Sequence, residues 1–416
     1  MEQNKRNDFI VILLGVVLSY LVYLTVMSEL LDPLADFNGH TYVYLPMFKK
    51  GTWLEAWKMV PYCMWHMSVL AMNRLLHVPL EVSAAYVSGF FHLFTYFVIY
   101  WIIRKYTAAK TGRLGAARAG SIAFGLSVSQ ALYLWWLDTG KRFEGVYSMN
   151  PVHNPTHMCV LPFALLCFCL VCDIWGKQKN DSYKGIFFRV EQGLKKYYIY
   201  LAILLFLSSL AKPVFAEMFI PAVGLVMLVE WIGRIRLKDG SGKAYFSYCL
   251  SMLLCAAPSL AYILLQFLAY FFWGGSYGAD GSFTITKWLE VWGMYSENVI
   301  LSIAVGMAFP LFLVLIDGRF FVREDMGRLA LVGYGVGFLE AATLGEGGGK
   351  LSHGDFLWPM MCGMQLMWIT AMLRLVTLDQ IQTDTKGKRI LIDLGWGLFC
   401  IHVLCGLLQF KQLIGG

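Results

Sequence analysis

Long apolar runs recur along this chain at short polar intervals, and they decide what it can fold into. In hydrocarbon every backbone N–H and C=O must be satisfied within the protein, so spanning segments are helices or closed barrels. A helical span needs about 20 mostly apolar residues. Eleven such runs are legible, at about 9–29, 83–103, 119–137, 156–175, 197–211, 214–232, 246–272, 298–316, 329–344, 357–377 and 390–408. They are too long and too continuous for the alternating strands of a membrane barrel. Composition agrees: 15% of residues are charged, against roughly 25% in a soluble domain. The expected fold is an all-α integral membrane protein of about 11 transmembrane helices, one polytopic domain over 1–416 with no separate soluble domain. The first run lacks a small-residue cleavage site and is read as a retained span.

Basic residues orient the spans, because cationic flanks resist translocation. With the N-terminus in the cytoplasm, most of the 34 Lys and Arg fall in cytoplasmic segments, among them Arg104, Lys105, Lys177, Lys179, Arg234, Arg236, Arg328 and Arg389. The net charge of +7 is therefore a property of the inner rim, where it meets anionic headgroups, and does not indicate nucleic acid as a partner. The expected location is a bacterial-type cytoplasmic membrane, with the active face outside. Nine of the ten Cys lie within the apolar runs, the one CxxC pair, Cys169-Leu-Val-Cys172, among them, which argues against a thiolate metal site.

Once the chain is oriented this way, its unusual residues gather on the outer side. Asp36-Phe-Asn-Gly-His40 follows the first span, and the outer segments also hold His66, Arg142, Glu144, His153, Asn154, Lys212, Glu217, Glu346, Lys350, His353, Asp355 and Trp358. Ionisable groups at a bilayer boundary are costly unless they line a hydrated cavity. The first outer segment, 30–82, is the longest, and interfacial helices are expected in it. Trp53 and Trp57 stand at i, i+4, one helical face, suited to a short helix with its Trp toward lipid. Pro61-Tyr62 then opens a second helix running to Leu76.

This pattern resembles the GT-C superfamily of glycosyltransferases. The resemblance rests on Asp36…His40, then Pro61-Tyr62…Trp65-His66, then the second span. Asn150-Pro-Val-His-Asn-Pro-Thr-His157, Lys212-Pro213 and Gly349-Lys-Leu-Ser-His-Gly-Asp-Phe-Leu-Trp358 look like segments of bacterial membrane proteins of that type. It implies a carboxylate in the first outer loop, juxtamembrane helices after it, and a polyprenyl-phosphate or pyrophosphate sugar donor. The acceptor would be an extracytoplasmic glycan, lipid or protein, with inversion at the anomeric carbon. The chain departs from the pattern in one respect. Many members carry two adjacent acidic residues in this loop, where Asp36 has Asn38 as its near neighbour.

Glycosyl transfer itself asks for a base within hydrogen-bond reach of the acceptor hydroxyl and for donors that meet the leaving phosphate. Asp36 is the expected base, with His40 beside it to orient it or to bind phosphate or metal. Lys212, Arg142, Lys350 and His353 are the expected phosphate ligands. His66, Glu144, His153, Asn154, Glu217, Glu346, Asp355 and Trp358 are the expected substrate-binding residues. A divalent metal (Mn or Mg) is left open as a cofactor, with His153 and His157 at i, i+4 as its weak candidates. Asn154-Pro155-Thr156 reads more simply as a helix cap followed by Pro in the first turn. HExxH is absent, so metalloprotease chemistry has no support, and no outer Ser sits beside a recognisable His-Asp pair, so serine hydrolase chemistry has little support. Two rival functions remain: a transporter or flippase of a lipid-linked saccharide, suited to broken helices, and a polysaccharide polymerase.

Overall fold

The computed structural model describes residues 2–50, 53–112, 114–134, 148–191, 193–238, 240–273, 283–347, 350–381 and 386–415. The apolar runs form helices, in chain order α1 (Glu2–Glu29), α2 (Trp53–Met59), α3 (Met64–Leu76), α4 (Leu80–Lys110), α5 (Ala116–Val128), α6 (Pro155–Lys179) and α7 (Lys195–Ala211). After these come α8 (Val214–Leu237), α9 (Ser241–Phe271), α10 (Val299–Arg323), α11 (Asp325–Thr343), α12 (Trp358–Gln380) and α13 (Lys386–Gly415). One two-stranded antiparallel sheet pairs β1 (Phe283–Ile285) with β2 (Leu344–Glu346). The chain is an all-α, multi-pass membrane protein.

Among the described residues eight helices are long and apolar enough to cross a bilayer: α1, α4, α6, α8, α9, α10, α12 and α13. The expected count of eleven is not reached, because three of the runs form shorter or more polar helices. α5 has 13 residues and covers roughly 20 Å, short of a hydrocarbon core of about 30 Å. α7 has 17 residues, and the 19 of α11 are diluted by Arg328, Glu340 and four glycines.

α6 and α12 form the centre. Nearly every residue of both is buried, as expected for helices that are apolar all round. α1, α9, α10 and α13 are mostly exposed and supply the lipid-facing surface. α11 and α12 pack with their backbones almost touching. A Cβ at Gly337 would sit 2.6 Å from Met360 Cα, and one at Gly363 would sit 2.7 Å from Tyr334 Cα. Small residues permit this approach, which drives helix association in a medium without a hydrophobic effect.

The basic rim is less solvated than the sequence suggests. Lys179 lies 2.8 Å from Glu230 and 2.5 Å from Asp325, and Arg328 bonds both of these carboxylates. Buried Asp173 organises the basic loop after α6. Its carboxylate accepts the backbone N–H groups of Ile186, Phe187 and Phe188 at 2.6–2.8 Å and the Tyr183 hydroxyl at 2.8 Å.

Candidate active site

The first inter-span segment is helical in pieces, as expected. A turn at Asp36–Asn38 runs into a π-helical turn, Gly39–Tyr44, the kind of irregularity that re-aims side chains at functional sites. Asn38 ties it back to α1 through the Leu30 carbonyl, 2.9 Å away. α3 is held to α4 by the Trp65 indole N–H, which donates to Ser88 Oγ at 3.0 Å. One expectation is corrected: Trp57 does not face lipid. Its indole lies 3.3 Å from the Tyr262 hydroxyl on α9, and that hydroxyl donates to the Pro61 carbonyl at 2.7 Å. An aromatic with a polar tip found a partner there.

Asn154 joins the parts of the site. It is the N-cap of α6, with Pro155 in the first turn, as the sequence indicates. Its Oδ1 accepts the His157 backbone N–H at 2.8 Å and the Thr156 hydroxyl at 3.0 Å. The Lys212 ammonium donates to the same oxygen at 3.3 Å. The amide nitrogen donates to Asp36 Oδ2 at 2.8 Å. Only this amide orientation satisfies every neighbour, since a carboxylate needs a donor and an ammonium an acceptor. One cap residue thereby holds the carboxylate and the cation in register.

Lys212 is buried in the two-residue break between α7 and α8. Its ammonium sits 3.7 Å from the centre of the Trp358 ring, a cation–π contact strengthened by desolvation. Burial pulls its pKa down to about 8, although the charges of Asp355, Asp36 and Glu217 favour the ammonium. His157 and His153 flank the same indole, with ring centres 5.1 and 5.7 Å away. Neither ring nitrogen of His157 has a hydrogen-bond partner among the described residues. No group of three His, Cys, Asp or Glu converges as metal ligands among those residues.

His40 takes a partner other than the expected one. Its Nδ1 lies 3.0 Å from His66 Nε2, so it pairs with His66 rather than Asp36. Phe48 and Trp65 pack around the His66 ring, and Tyr44 and Trp65 around that of His40. Burial, then the neighbouring charges of His66 and Lys212, hold His40 well below the usual histidine range, and burial lowers His66 to about 3. Both rings are neutral at pH 7, so a single N–H bridges them.

The opposite wall comes from the segment between α11 and α12. The β1–β2 pair places Glu346 opposite Phe283. Buried Glu346 hydrogen-bonds Asp355, and burial together with the Asp355 charge raises its pKa well above the usual carboxylate range. His353 Nδ1 stands 3.4 Å from Glu346 Oε2, and the Lys350 charge acts on the same carboxyl. Glu217, in the first turn of α8, feels both Asp355 and Lys212. Asp36, His40, His66, His153, Asn154, Lys212, Glu217, Asp355 and Trp358 are thus linked through Asn154, Lys212 and the histidine pair, with Glu346, Lys350 and His353 continuing from Asp355. Arg142 and Glu144 lie outside the described residues. Glu340, unexpected from the sequence, sits on α11 within electrostatic reach of Glu217; its signal was a carboxylate inside an apolar run. No protein-family model matches the chain, and no curated protein matches it in sequence.

Proposed function

We propose that this protein is a membrane glycosyltransferase of the GT-C type, moving a sugar from a polyprenyl-linked phosphate donor to an extracytoplasmic acceptor. One observation carries the reading: a carboxylate, Asp36, and a buried ammonium, Lys212, are held by the two ends of a single amide, Asn154. They stand where helical pieces after the first long apolar helix meet the starts of α6, α8 and α12. Transfer needs that pair of charges. Asp36 would take the proton of the acceptor hydroxyl as its oxygen bonds the anomeric carbon. The bond from that carbon to the phosphate oxygen breaks on the opposite face, giving inversion. Charge gathering on the leaving phosphate would meet Lys212, with Lys350 and His353 at the rim. Trp358 and the neutral His40–His66 pair, with Glu217 and Asp355, suit the stacking and hydrogen bonding of a sugar.

The reading extends to a cytoplasmic-type membrane, with the basic rim inside and Asp36 outside. A divalent ion, when bound, would neutralise phosphate charge. The test is transfer of label from polyprenyl-phosphate sugars to cell-envelope acceptors by purified protein in nanodiscs. Wild type is compared with Asp36→Asn, with and without chelator. The expected result is turnover in wild type and a loss of about 10²–10⁴-fold in the variant, with donor binding retained. Absence of turnover across a broad donor panel, with saturable movement of lipid between leaflets, overturns it in favour of a flippase.

A further inference from the structure

The hairpin between α8 and α9 carries a second site, separate from Asp36 and independent of the transferase reading. α8 ends at Leu237, Lys238 turns the chain with a left-handed conformation (φ 56°), and α9 begins at Ser241. Arg234, Lys238 and Lys243 line a cavity of about 360 Å³ at this tip. The Arg234 guanidinium lies over the Tyr245 ring, 4.4 Å from its centre. Among the described residues none of the three cations pairs with a carboxylate; Asp239, in the turn, lies outside them. Gly240 and Gly242 also line the cavity, adding the positive end of the α9 dipole.

A second cavity shares its border with the first, since Trp231 and Phe246 line both. It measures about 250 Å³ and is walled by apolar side chains of α7, α8 and α9, such as Leu205, Val223 and Leu253. The Trp231 indole N–H is already given to the Gly242 carbonyl at 3.1 Å, so the slot presents no free donor there. Gly224 lines it too, and nothing stands within 4 Å of where its Cβ would be.

A shallow groove rimmed by three basic side chains and bordering an apolar slot has the two-part chemistry of a lipid with an anionic head. We propose that this hairpin binds an acidic glycerophospholipid of the surrounding bilayer, with its phosphate among Arg234, Lys238 and Lys243 and one acyl chain in the slot. Charge complementarity selects this occupant. Three cations without a carboxylate partner among the described residues attract an anion, the apolar slot gives a soluble anion nothing to fill it, and a zwitterionic head carries its own cation into the ring.

Native mass spectrometry of the full-length protein, incubated with equal amounts of phosphatidylglycerol and phosphatidylcholine, tests it. Wild type should retain phosphatidylglycerol preferentially. Each of Arg234→Gln, Lys238→Gln and Lys243→Gln should cut the preference about fivefold. Gly224→Leu should lower the occupancy of both lipids and leave the charge preference intact. No preference in wild type, or a preference that survives the triple Gln variant, overturns the proposal. So does a protein dimer abolished by Gly224→Leu, which would make a second copy the occupant. Should the triple variant fail to fold, unchanged occupancy in Gly224→Leu overturns it alone.

Discussion

Replacing Lys212 by Met probes the electrostatics of the site without any substrate. Burial takes the ammonium from its ordinary pKa of 10.5 to about 8. The gap of about 2.5 between the two values corresponds to about 3 kcal/mol held against the charged form. The unfolded chain keeps its proton up to about pH 10.5, whereas the folded protein releases it near 8. Between these values the unfolded state binds more protons, so stability rises with pH. The whole penalty is present below pH 8 and is gone above the unfolded value. At pH 7 it amounts to about 3 kcal/mol, and at pH 9.5 to about 1.4 kcal/mol. Methionine fills similar space and has no proton to lose. Wild type should therefore gain about 2 kcal/mol on the Met variant between these pH values, or about 2 °C in unfolding temperature for a chain of this size.

The assay is thermal unfolding of both proteins in detergent, followed at pH 7 and 9.5 in one buffer system. Comparing the pair at each pH cancels every other titrating group. A difference that stays constant, or moves in favour of Met as pH rises, refutes the reasoning. Lys212→Arg is the control, because a guanidinium keeps its charge throughout this range. Under the transferase reading, donor binding by wild type should also weaken above about pH 8, and Lys212→Arg should not share that break.

Other substitutions test other joints of the structure. Asn154→Ala removes both an N-cap and the bridge between Asp36 and Lys212, so it should cost about 1–2 kcal/mol in unfolding measurements. Asn154→Ser keeps a capping oxygen and should recover part of the stability but not the bridge. Asp173→Ala leaves three buried-loop N–H groups and a tyrosine hydroxyl without their acceptor; a loss of about 3 kcal/mol is expected, with hydrogen exchange at Ile186–Phe188 sharply faster. Glu346→Gln should be tolerated near neutral pH, because the native carboxyl holds its proton well above the usual carboxylate range. Its folded pKa is raised, so ionisation is opposed and wild-type stability falls as pH climbs above the ordinary carboxylate value. Unfolding curves should then favour Gln increasingly from mildly acidic to alkaline pH.

The class of fold was legible because lipid leaves so few solutions for the backbone. Each of the eleven apolar runs lies wholly or partly on a helix of the structure. The Asn154-Pro155 cap was legible too, since an amide before Pro at a helix start has a local cause. Pairings across the fold were not. Nothing in sequence spacing brings His66 to His40, 26 residues apart, or Lys212 to Asn154, 58 apart. Those meetings depend on how α3, α6 and α7 pack. Trp57 misled for the same reason, because its spacing from Trp53 describes a helix face and not what covers that face.

The three helices that fall short as spans also mark where irregular backbone begins. All three helices that fall short as spans stop at their C-terminal ends, and each hands over to chain that is no longer helical. α5 stops at Val128, and the extended backbone after it is satisfied from other elements. The Asn150 amide donates to the Leu126 and Ser129 carbonyls, the Gln130 N–H donates to the His402 carbonyl, and the Leu132 N–H to that of Val305. α7 stops at Ala211, just before Lys212. α11 stops at Thr343, and β2 follows with Glu346. Irregular backbone persists at membrane depth only where protein or a watered cavity covers it. Lys212 and Glu346 lie just beyond two of those ends. Hydropathy overran the helix end only at α5, where the apolar run continues to 137 and the helix stops at Val128; the runs 197–211 and 329–344 end within a residue of α7 and α11. Two of the three positions at which the sequence reading overcounted, the ends of α7 and α11, are thus followed closely by polar side chains of the candidate site, Lys212 and Glu346.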